Sequence, residues 1–334
     1  MTAPTQTSPK TTIYVMFCVA VGLVLLNIVV GAVGTPDLGA TFTNLFRGPG
    51  YPDDAFSVVL WELRLPRALA ACFAGCLLGT IGSVYQAIFR NVLAEPYLVG
   101  VSGGAALGGS VAIAFGMAGV FGLGVVGFSV VGGLIALVLA LRMGRVRGVI
   151  DSQRLLISGL VIGAVLSSGM TLVLSLAGQD TNRILRWLFG SLTPMFWPSV
   201  GFLLLSAIVG TVVSLKNARA LNALSISRAQ AFSVGFDPDK VIKICLYVGA
   251  ICTSVVVGAI GMVGFLGLIA PNLARAICRS NLKEQIILSG FIGASLLMIA
   301  DLIAQRSGEL PVGAITAVFG GIALLLLFGR DSSQ

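Results

Sequence analysis

About ten long apolar runs divide this chain of 334 residues, and they restrict its fold more than any other feature. Soluble domains carry about 25% charged residues, whereas this chain carries 10% and has a mean hydropathy of +1.01. A soluble fold of this length must still expose about a quarter of the surface of its unfolded chain to water, so it could not hide so much apolar surface. Ten spans of roughly 20 residues would account for nearly the whole chain. The sequence therefore predicts an all-α polytopic membrane protein.

The boundaries of the runs predict one transmembrane domain over residues 1–334, with a cytoplasmic tail at 1–12 and a long cytoplasmic segment at 216–239. Glycines at helical spacing, such as Gly75 and Gly79 or Gly104 and Gly108, indicate close helix contacts, since small residues let helix backbones approach in lipid. The ten predicted helices are Ile13–Val33, Leu65–Phe89, Tyr97–Phe115, Val120–Leu141, Leu155–Leu176, Trp197–Leu215, Val241–Val257, Met262–Ile277, Ile286–Ile303 and Val312–Phe328.

The distribution of basic residues predicts the orientation. With the N-terminus inside, cytoplasmic segments hold 15 of the 21 Lys and Arg residues. Cytoplasmic loops carry such an excess in membrane proteins, so both termini are predicted to be cytoplasmic. The net charge of +8 then reflects topology, and no nucleic-acid partner is expected. The six basic residues of the outer segments are Arg47, Arg64, Arg67, Arg183, Arg186 and Arg306.

The residue types argue against catalysis and metal binding by this chain. There is no histidine, the commonest metal ligand and general base. There is also no glycine-rich nucleotide loop followed by Lys and Ser or Thr. Cys72 and Cys76 are four residues apart, so a soft-metal site is conceivable, but small buried hydrophobes in a packed helix are the favoured interpretation. We expect no enzyme, no metal and no cofactor in this chain.

Two arginines open the second apolar run. Arg64 and Arg67 are three residues apart, so on a helix they would share a face. The ordinary role of arginines at this position is to reach toward the lipid headgroups. The alternative is a docking point for acidic residues of an external partner.

Two cytoplasmic segments also contrast with the apolar background. Between Gln86 and Ala105 the chain turns and re-enters the membrane as a Gly- and Ser-rich helix, which suits either a pore gate or a capped turn with an Arg90–Glu95 ion pair. The stretch 220–235 has a short helical pattern that ends in glycine. Amphipathic helices there could lie on lipid or fit a cytoplasmic motor.

Three motifs in register resemble those of a known family. The first combines Arg64-Leu-Pro-Arg67 with Gln86 and the run Arg90-Asn91-Val92-Leu93-Ala94-Glu95-Pro96. The second is the stretch 258–275, and the third is Glu309-Leu-Pro311 before the last helix. Their order and spacing are similar to those of the FecCD-type permeases, the membrane subunits of iron-siderophore, haem and cobalamin ABC importers.

The resemblance implies a type II ABC importer permease bundle in a bacterial or archaeal cytoplasmic membrane. It implies two permease copies, here expected as a homodimer, and two ATP-binding cassette ATPase subunits that bind the ATP and Mg²⁺. A periplasmic or lipid-anchored substrate-binding protein is expected on the outer face. The implied site residues are Arg64, Arg67 and Arg306 for docking of the binding protein, Gln86, Asn91, Leu93 and Ser152 for the translocation path and its gate, and Asn222, Arg228, Ala229 and Gly235 for coupling to the ATPase.

The sequence departs from the family pattern at three places. The usual Asn-Pro-Leu is Asn91-Val92-Leu93 here, so the turn loses the rigidity of proline. The usual Pro-His is Pro271-Asn272. The arginine expected after Asp301 is matched by Arg306 only approximately, since Gln305 occupies the nearer position.

The predicted function is import of an iron chelate, such as a ferric siderophore or haem, with a cobalamin importer as the alternative. A competing class is the ion-coupled secondary transporter, which usually places an acidic residue at mid-membrane. Asp301 is the best candidate for such a residue. It lies near the end of its run, however, and an ion pair with Arg306 or a helix-end role suits it better.

Overall fold

The computed structural model describes residues 8–30, 55–277 and 281–331, together with 41, 43–45 and 48. Within these residues seven helices are long and apolar enough to cross a membrane, and three further apolar helices are shorter. The predicted bundle of about ten membrane helices is therefore confirmed. The longer elements are α1 Pro9–Val29, α2 Leu65–Phe89, α3 Val101–Ala114, α4 Leu123–Met143, α5 Ser152–Leu176, α6 Thr181–Leu188, α7 Trp197–Ile226, α8 Arg228–Ser233, α9 Pro238–Ile260, α10 Leu266–Ile277, α11 Leu282–Arg306 and α12 Val312–Asp331.

Short elements connect these helices. A helical turn at Ala55–Val58 and a π-helical turn at Val59–Arg64 run directly into α2. A 3₁₀ turn at Pro96–Val99 precedes α3, and strands β1 (Arg145–Val146) and β2 (Val149–Ile150) form an antiparallel hairpin between α4 and α5.

Helix ends follow the local chemistry of the sequence. The side chains of Asp151, Asp237 and Asn281 accept hydrogen bonds from the first backbone amides of α5, α9 and α11. Such caps satisfy amide groups that have no partner inside the helix. Prolines near the starts of α2 and α7 cost no hydrogen bond there.

Helices α2, α9 and α11 form the centre of the bundle. In their most apolar segments 78%, 72% and 67% of the residues are buried, against 22% in α1 and in α5. Side chains on α1 and α5 therefore face lipid or a partner chain.

The predicted glycine contacts are present. A Cβ added to Gly75 or Gly79 of α2 would overlap backbone oxygens of α11, and one added to Gly104 or Gly108 of α3 would overlap backbone oxygens of α4. These backbones approach each other because no side chain separates them, as the sequence indicated.

Several elements differ from the prediction. Helix α1 begins at Pro9 and not at Ile13. Residues 1–7 of the predicted cytoplasmic tail lie outside the described residues. The predicted sixth helix continues to Ile226 as α7, whose 30 residues measure roughly 45 Å. Because a bilayer core is about 30 Å thick, its C-terminal turns project into the cytoplasm. The hairpin and α6 were not predicted.

Candidate functional site

Arg67 lies at the centre of a buried ion-pair network at the outer end of α2. Its Nε donates to both carboxylate oxygens of Asp301, at 3.0 and 3.1 Å, and its Nη2 donates to Asp301 at 2.8 Å. Its Nη1 donates to Glu309 at 2.8 Å and to Thr193 Oγ1 at 2.7 Å. Gln305 Nε2 completes the network with a hydrogen bond of 2.8 Å to Asp301. The network therefore joins α2, α11 and the segments before α7 and α12.

The expected ion pair between Asp301 and Arg306 is wrong. Asp301 is completely buried and binds Arg67, which precedes it by 234 positions, whereas Arg306 is exposed. A carboxylate held by a bidentate guanidinium and a glutamine has little freedom to bind and release a coupling ion. This geometry disfavours the secondary-transporter interpretation.

The three predicted docking arginines differ in accessibility. Arg64 is 6% exposed and donates to the carbonyl oxygens of Ile28 and Val29 at the end of α1, at 3.2 and 3.1 Å. Arg67 is 9% exposed. Arg306 is exposed. Both buried arginines have contacts within the chain. Docking of an external partner remains a prediction, and of the three arginines Arg306 could make that contact without rearrangement.

The four predicted gate residues meet around the cytoplasmic end of α2. Gln86 is buried on its last turn, and Ser152 Oγ at the start of α5 donates to the Ile88 carbonyl at 3.3 Å. Asn91 Oδ1 accepts from the backbone amide of Leu93 at 2.9 Å, which closes the turn. The structure therefore brings this predicted set together in one place.

Helix α10 holds this turn through side chains that the prediction did not include. Arg275 donates to Gln86 Oε1 at 2.5 Å and to Asn272 Oδ1 at 2.6 Å. Asn272 Nδ2 in turn donates to the Val92 carbonyl at 3.0 Å. Two departures from the family pattern, Val92 and Asn272, thus contact each other, and this hydrogen bond constrains a turn that lacks proline.

The alternative interpretation, an Arg90–Glu95 ion pair, is not found among the ion pairs of the described residues. Arg90 instead ends α2 in the left-handed conformation. Glu95 is partly buried beside Phe265. Burial raises the pKa of its carboxyl above the ordinary value, while a hydrogen bond with the Phe265 backbone partly offsets that rise.

Replacing Asn272 by alanine should loosen the gate. The variant loses the hydrogen bond to Val92, worth about 1 kcal/mol, and we expect faster ATP-independent leakage of substrate from loaded proteoliposomes. Asn281→Ala is the matched control, because it removes a helix cap of similar energy on the same side of the membrane without contacting the turn. Equal leakage in the two variants would contradict the gate assignment.

The cytoplasmic end of α7, with α8 and the turn after it, forms a surface that we call the platform, residues 222–235. Asn222, Ala229 and Gly235 are exposed on it, and three large apolar side chains project from it. Apolar patches of this kind mark interaction sites. The apolar residues are Ile226, Phe232 and Val234, with 67%, 60% and 56% exposure.

Arg228 fixes the platform to the rest of the bundle. It donates to the Ile150 carbonyl at 2.9 Å and to the Asp239 carboxylate at 2.5 Å, and the Ile150 amide donates to the same carboxylate at 3.3 Å. A cavity of about 250 Å³ lies beside it, lined by Arg90, Ser152 and Arg228 among others. The hairpin therefore places the platform next to the turn that holds the predicted gate residues.

Gly235 follows the end of α8 with φ of +86°, and a Cβ added to it would meet open space. Valine is strained in this left-handed conformation, by about 1–3 kcal/mol, whereas asparagine tolerates it. We expect Gly235→Val to reorient the platform and raise the number of ATP molecules hydrolysed per substrate transported. Gly235→Asn should stay near the wild-type ratio. A normal ratio in the valine variant would count against a coupling role.

Cavities of similar volume flank the described bundle at three places. The first, of about 430 Å³, is lined mainly by apolar side chains of α4, α7 and α9. The second, of about 480 Å³, lies between α3 and α5, where Ser102, Gly163 and Ser167 join apolar side chains in the lining. The third, of about 450 Å³, lies on the predicted outer side around α6 and is lined by Arg183, Arg186 and aromatic side chains.

Sequence reasoning missed several residues of these sites. Glu309 belongs to a quoted motif, but its partner was not predicted. Thr193 carried no signal, because an isolated threonine in a loop is common. Arg183 and Arg186 were counted only for topology, although their spacing of three places both on one face of a helix.

Comparisons with known proteins agree along nearly the whole chain. The family model described as the FecCD transport family matches residues 18–330. A cobalamin import system permease protein of Halobacterium salinarum is 32% identical over 283 residues, covering 84% of this chain and 76% of that protein. An Fe(3+)-citrate import system permease protein of Bacillus subtilis is 30% identical over 334 residues, covering 98% of each.

Further matches come from a bacterial permease and from a solved structure. A probable iron chelatin transport system permease protein of Helicobacter pylori is 32% identical over 279 residues, covering 83% of this chain and 84% of that protein. A solved inward-facing structure of a metal-chelate type ABC transporter has a TM-score of 0.83 at 22% identity, covering 97% of this chain and all of that one. The last comparison concerns the fold alone.

Proposed function

The chain belongs to the FecCD transport family, and we propose on this basis that it is the permease through which an ATP-driven importer moves an iron chelate into the cell. It is a multi-pass protein of the cytoplasmic membrane. Cobalamin is the alternative substrate, since relatives are named for iron chelatin, Fe(3+)-citrate and cobalamin. The permease itself performs no chemistry in this proposal, and ATP and Mg²⁺ are bound by a separate ATPase.

The platform is the observation that carries the proposal. A secondary transporter has no use for an exposed apolar surface projecting into the cytoplasm, whereas an ATP-driven importer needs a seat for its motor. Ile226, Phe232 and Val234 would supply the apolar contacts of that seat, and Asn222, Ala229 and Gly235 its edge. Arg228 would transmit movement of the seat to the gate through Ile150 and Ser152.

A second copy of the permease is supported by α5. This helix exposes Ser167, Ser168, Thr171 and Ser175, and small hydroxyl residues are enriched where membrane helices pack against one another. Three of them donate back to the carbonyl groups of their own helix, so they are satisfied without water. A twofold path between two copies of α5 would suit this face, and we propose a homodimer.

A substrate-binding protein is the third proposed partner. Arg306 is exposed at the outer end of α11 and is the accessible member of the docking set. Arg64 and Arg67 would contribute only after rearrangement of their internal contacts, beginning with Glu309, whose side chain is 45% exposed. If any of these three arginines docks the binding protein, replacing it by an acidic residue should abolish formation of the complex between the permease and the binding protein.

Copurification and uptake test the proposal together. The chain is co-expressed with the ATPase and the binding protein encoded beside it, and the mass of the purified complex gives the number of permease copies. In proteoliposomes we expect ATP-dependent uptake of a ferric chelate, with haem and cobalamin assayed in parallel. Recovery of the permease without an ATPase would contradict the motor seat, and uptake of cobalamin alone would select the alternative substrate.

A further inference from the structure

We infer that the cavity around α6 is a binding site for an anionic, oxygen-donor ferric chelate, such as a hydroxycarboxylate or catecholate complex, on its way into the permease. The inference rests on the proposed function and names the class of its substrate. The cavity lies at the predicted outer side, because α5 begins at the cytoplasmic turn and α6 follows its opposite end.

The charge of the lining residues is the first argument. Arg183 and Arg186 line the cavity, and its 17 lining residues include no carboxylate. Neither arginine takes part in the ion pairs found among the described residues. The site therefore offers two planar guanidinium groups that match the geometry of carboxylate oxygens. A cationic chelate would be repelled by the same pair.

The shape and the remaining lining residues form the second argument. A volume of about 450 Å³ lies within the range of about 300–1,000 Å³ typical of small-molecule sites. Phe121, Trp187 and Phe196 add aromatic surface, and Trp187 is held by its Nε1 hydrogen bond of 3.3 Å to the Gly258 carbonyl. Such aromatic surface suits the apolar edges of a chelate. A site that binds an acidic protein surface would instead present its arginines on a convex face.

The position of the cavity is the third argument. Thr193, Pro194 and Met195 line it on one side and line a smaller cavity that contains Arg67 and Glu309 on the other. Thr193 also donates to Glu309 at 3.4 Å. The loop between the two cavities therefore connects the proposed chelate site to the outer ion-pair network. A chelate delivered at the outer face would meet this site before the membrane interior.

Direct binding to the purified permease–ATPase complex tests the inference. The probe is ⁵⁵Fe-labelled ferric citrate in equilibrium dialysis, with cationic ferrioxamine B and cyanocobalamin as competitors. We expect saturable binding that weakens as ionic strength rises and that neither competitor displaces. The double variant Arg183→Gln/Arg186→Gln should bind at least about tenfold more weakly, because two charge-assisted contacts are lost. The matched variant Arg183→Lys/Arg186→Lys keeps both charges but loses the planar forks, so its affinity should lie between those of the wild type and the glutamine variant.

The inference would be overturned by an absence of saturable ferric citrate binding, by equal binding in the wild type and the glutamine variant, or by displacement with ferrioxamine B. Weaker association of the glutamine variant with the binding protein, at unchanged ferric citrate binding, would assign the arginines to protein docking and would also overturn it. Uptake separates this result from the proposed function. ATP-dependent uptake of a neutral or cationic chelate, without ferric citrate binding, would leave the importer standing and reject the anion site.

Discussion

Replacing Arg67 by alanine should lower the free energy of unfolding by about 3–5 kcal/mol, because it leaves the completely buried Asp301 carboxylate without its counter-charge. In the wild type three hydrogen bonds from the guanidinium hold that carboxylate. After the substitution only Gln305 would remain on it. The measurement is reversible unfolding of the purified permease in mixed micelles.

Two further variants test whether the loss of stability comes from the buried, unpaired charge. Glu309→Gln should cost less than about 1 kcal/mol, since its side chain is 45% exposed and water screens the pair. Arg67→Met/Asp301→Leu should recover most of the lost stability, because replacing both members of a buried pair by apolar residues is often neutral. A stable Arg67→Ala protein that fails only in binding-protein association would reject the structural role and favour a docking role for Arg67.

Replacing Phe232 and Ile226 together by serine should abolish copurification of the ATPase. Both side chains are more than half exposed on the platform, so their replacement should cost the fold of the permease little. The few residues that dominate a protein interface cost about 2 kcal/mol or more each when truncated, which corresponds to roughly 30-fold in affinity, and we expect these two to be among them. The measurement is the ATPase-to-permease ratio after affinity purification.

Phe115→Ser is the matched control for the platform. Phe115 is 66% exposed and follows the C-terminal end of α3, away from the cytoplasmic turn. The control therefore makes a similar chemical change on the predicted outer side. The control should keep the wild-type ratio of ATPase to permease. An unchanged ratio in the platform variant, with normal folding, would show that the motor binds elsewhere.

The order of the membrane helices could be predicted because each depends on a local property, a run of apolar residues long enough to cross lipid. The predicted helix boundaries are wrong where hydrophobicity changes within a single helix. Helix α7 continues beyond Leu215 to Ile226, although its sequence becomes polar at Lys216, because helix geometry requires no apolar surface once the chain leaves the membrane. Helix α6 has eight residues and a polar face, so it contains no apolar run by which it could be predicted.

The candidate sites were predictable only as far as their residues are neighbours in sequence. Asn91 and Leu93 belong to one turn, and the platform is a continuous stretch, so pattern and resemblance could predict the members of each set. Proximity in sequence suggests an ion pair of Asp301 with Arg306 or a helix-end role, whereas its partner in the fold is Arg67, 234 positions away. Such pairing depends on how α2 and α11 pack, which no local pattern encodes.

The hydrogen bond between Asn272 and Val92 illustrates the same limit. Each residue departs from the family pattern, and the loss of proline at Val92 considered alone suggests a looser turn. In the fold the Asn272 side chain reaches the Val92 carbonyl at 3.0 Å, so the two changes are joined across 180 positions. Only the packing of α10 against the end of α2 reveals this relation.

The source of energy for transport tests the central claim most directly. Proteoliposomes containing the permease, its ATPase and its binding protein are loaded either with ATP or with an imposed proton or sodium gradient, and uptake of ⁵⁵Fe-chelate is followed in each. We predict uptake with internal ATP and Mg²⁺ and none with an ion gradient alone. Uptake that follows the gradient and ignores ATP would contradict the importer assignment and restore the secondary-transporter interpretation.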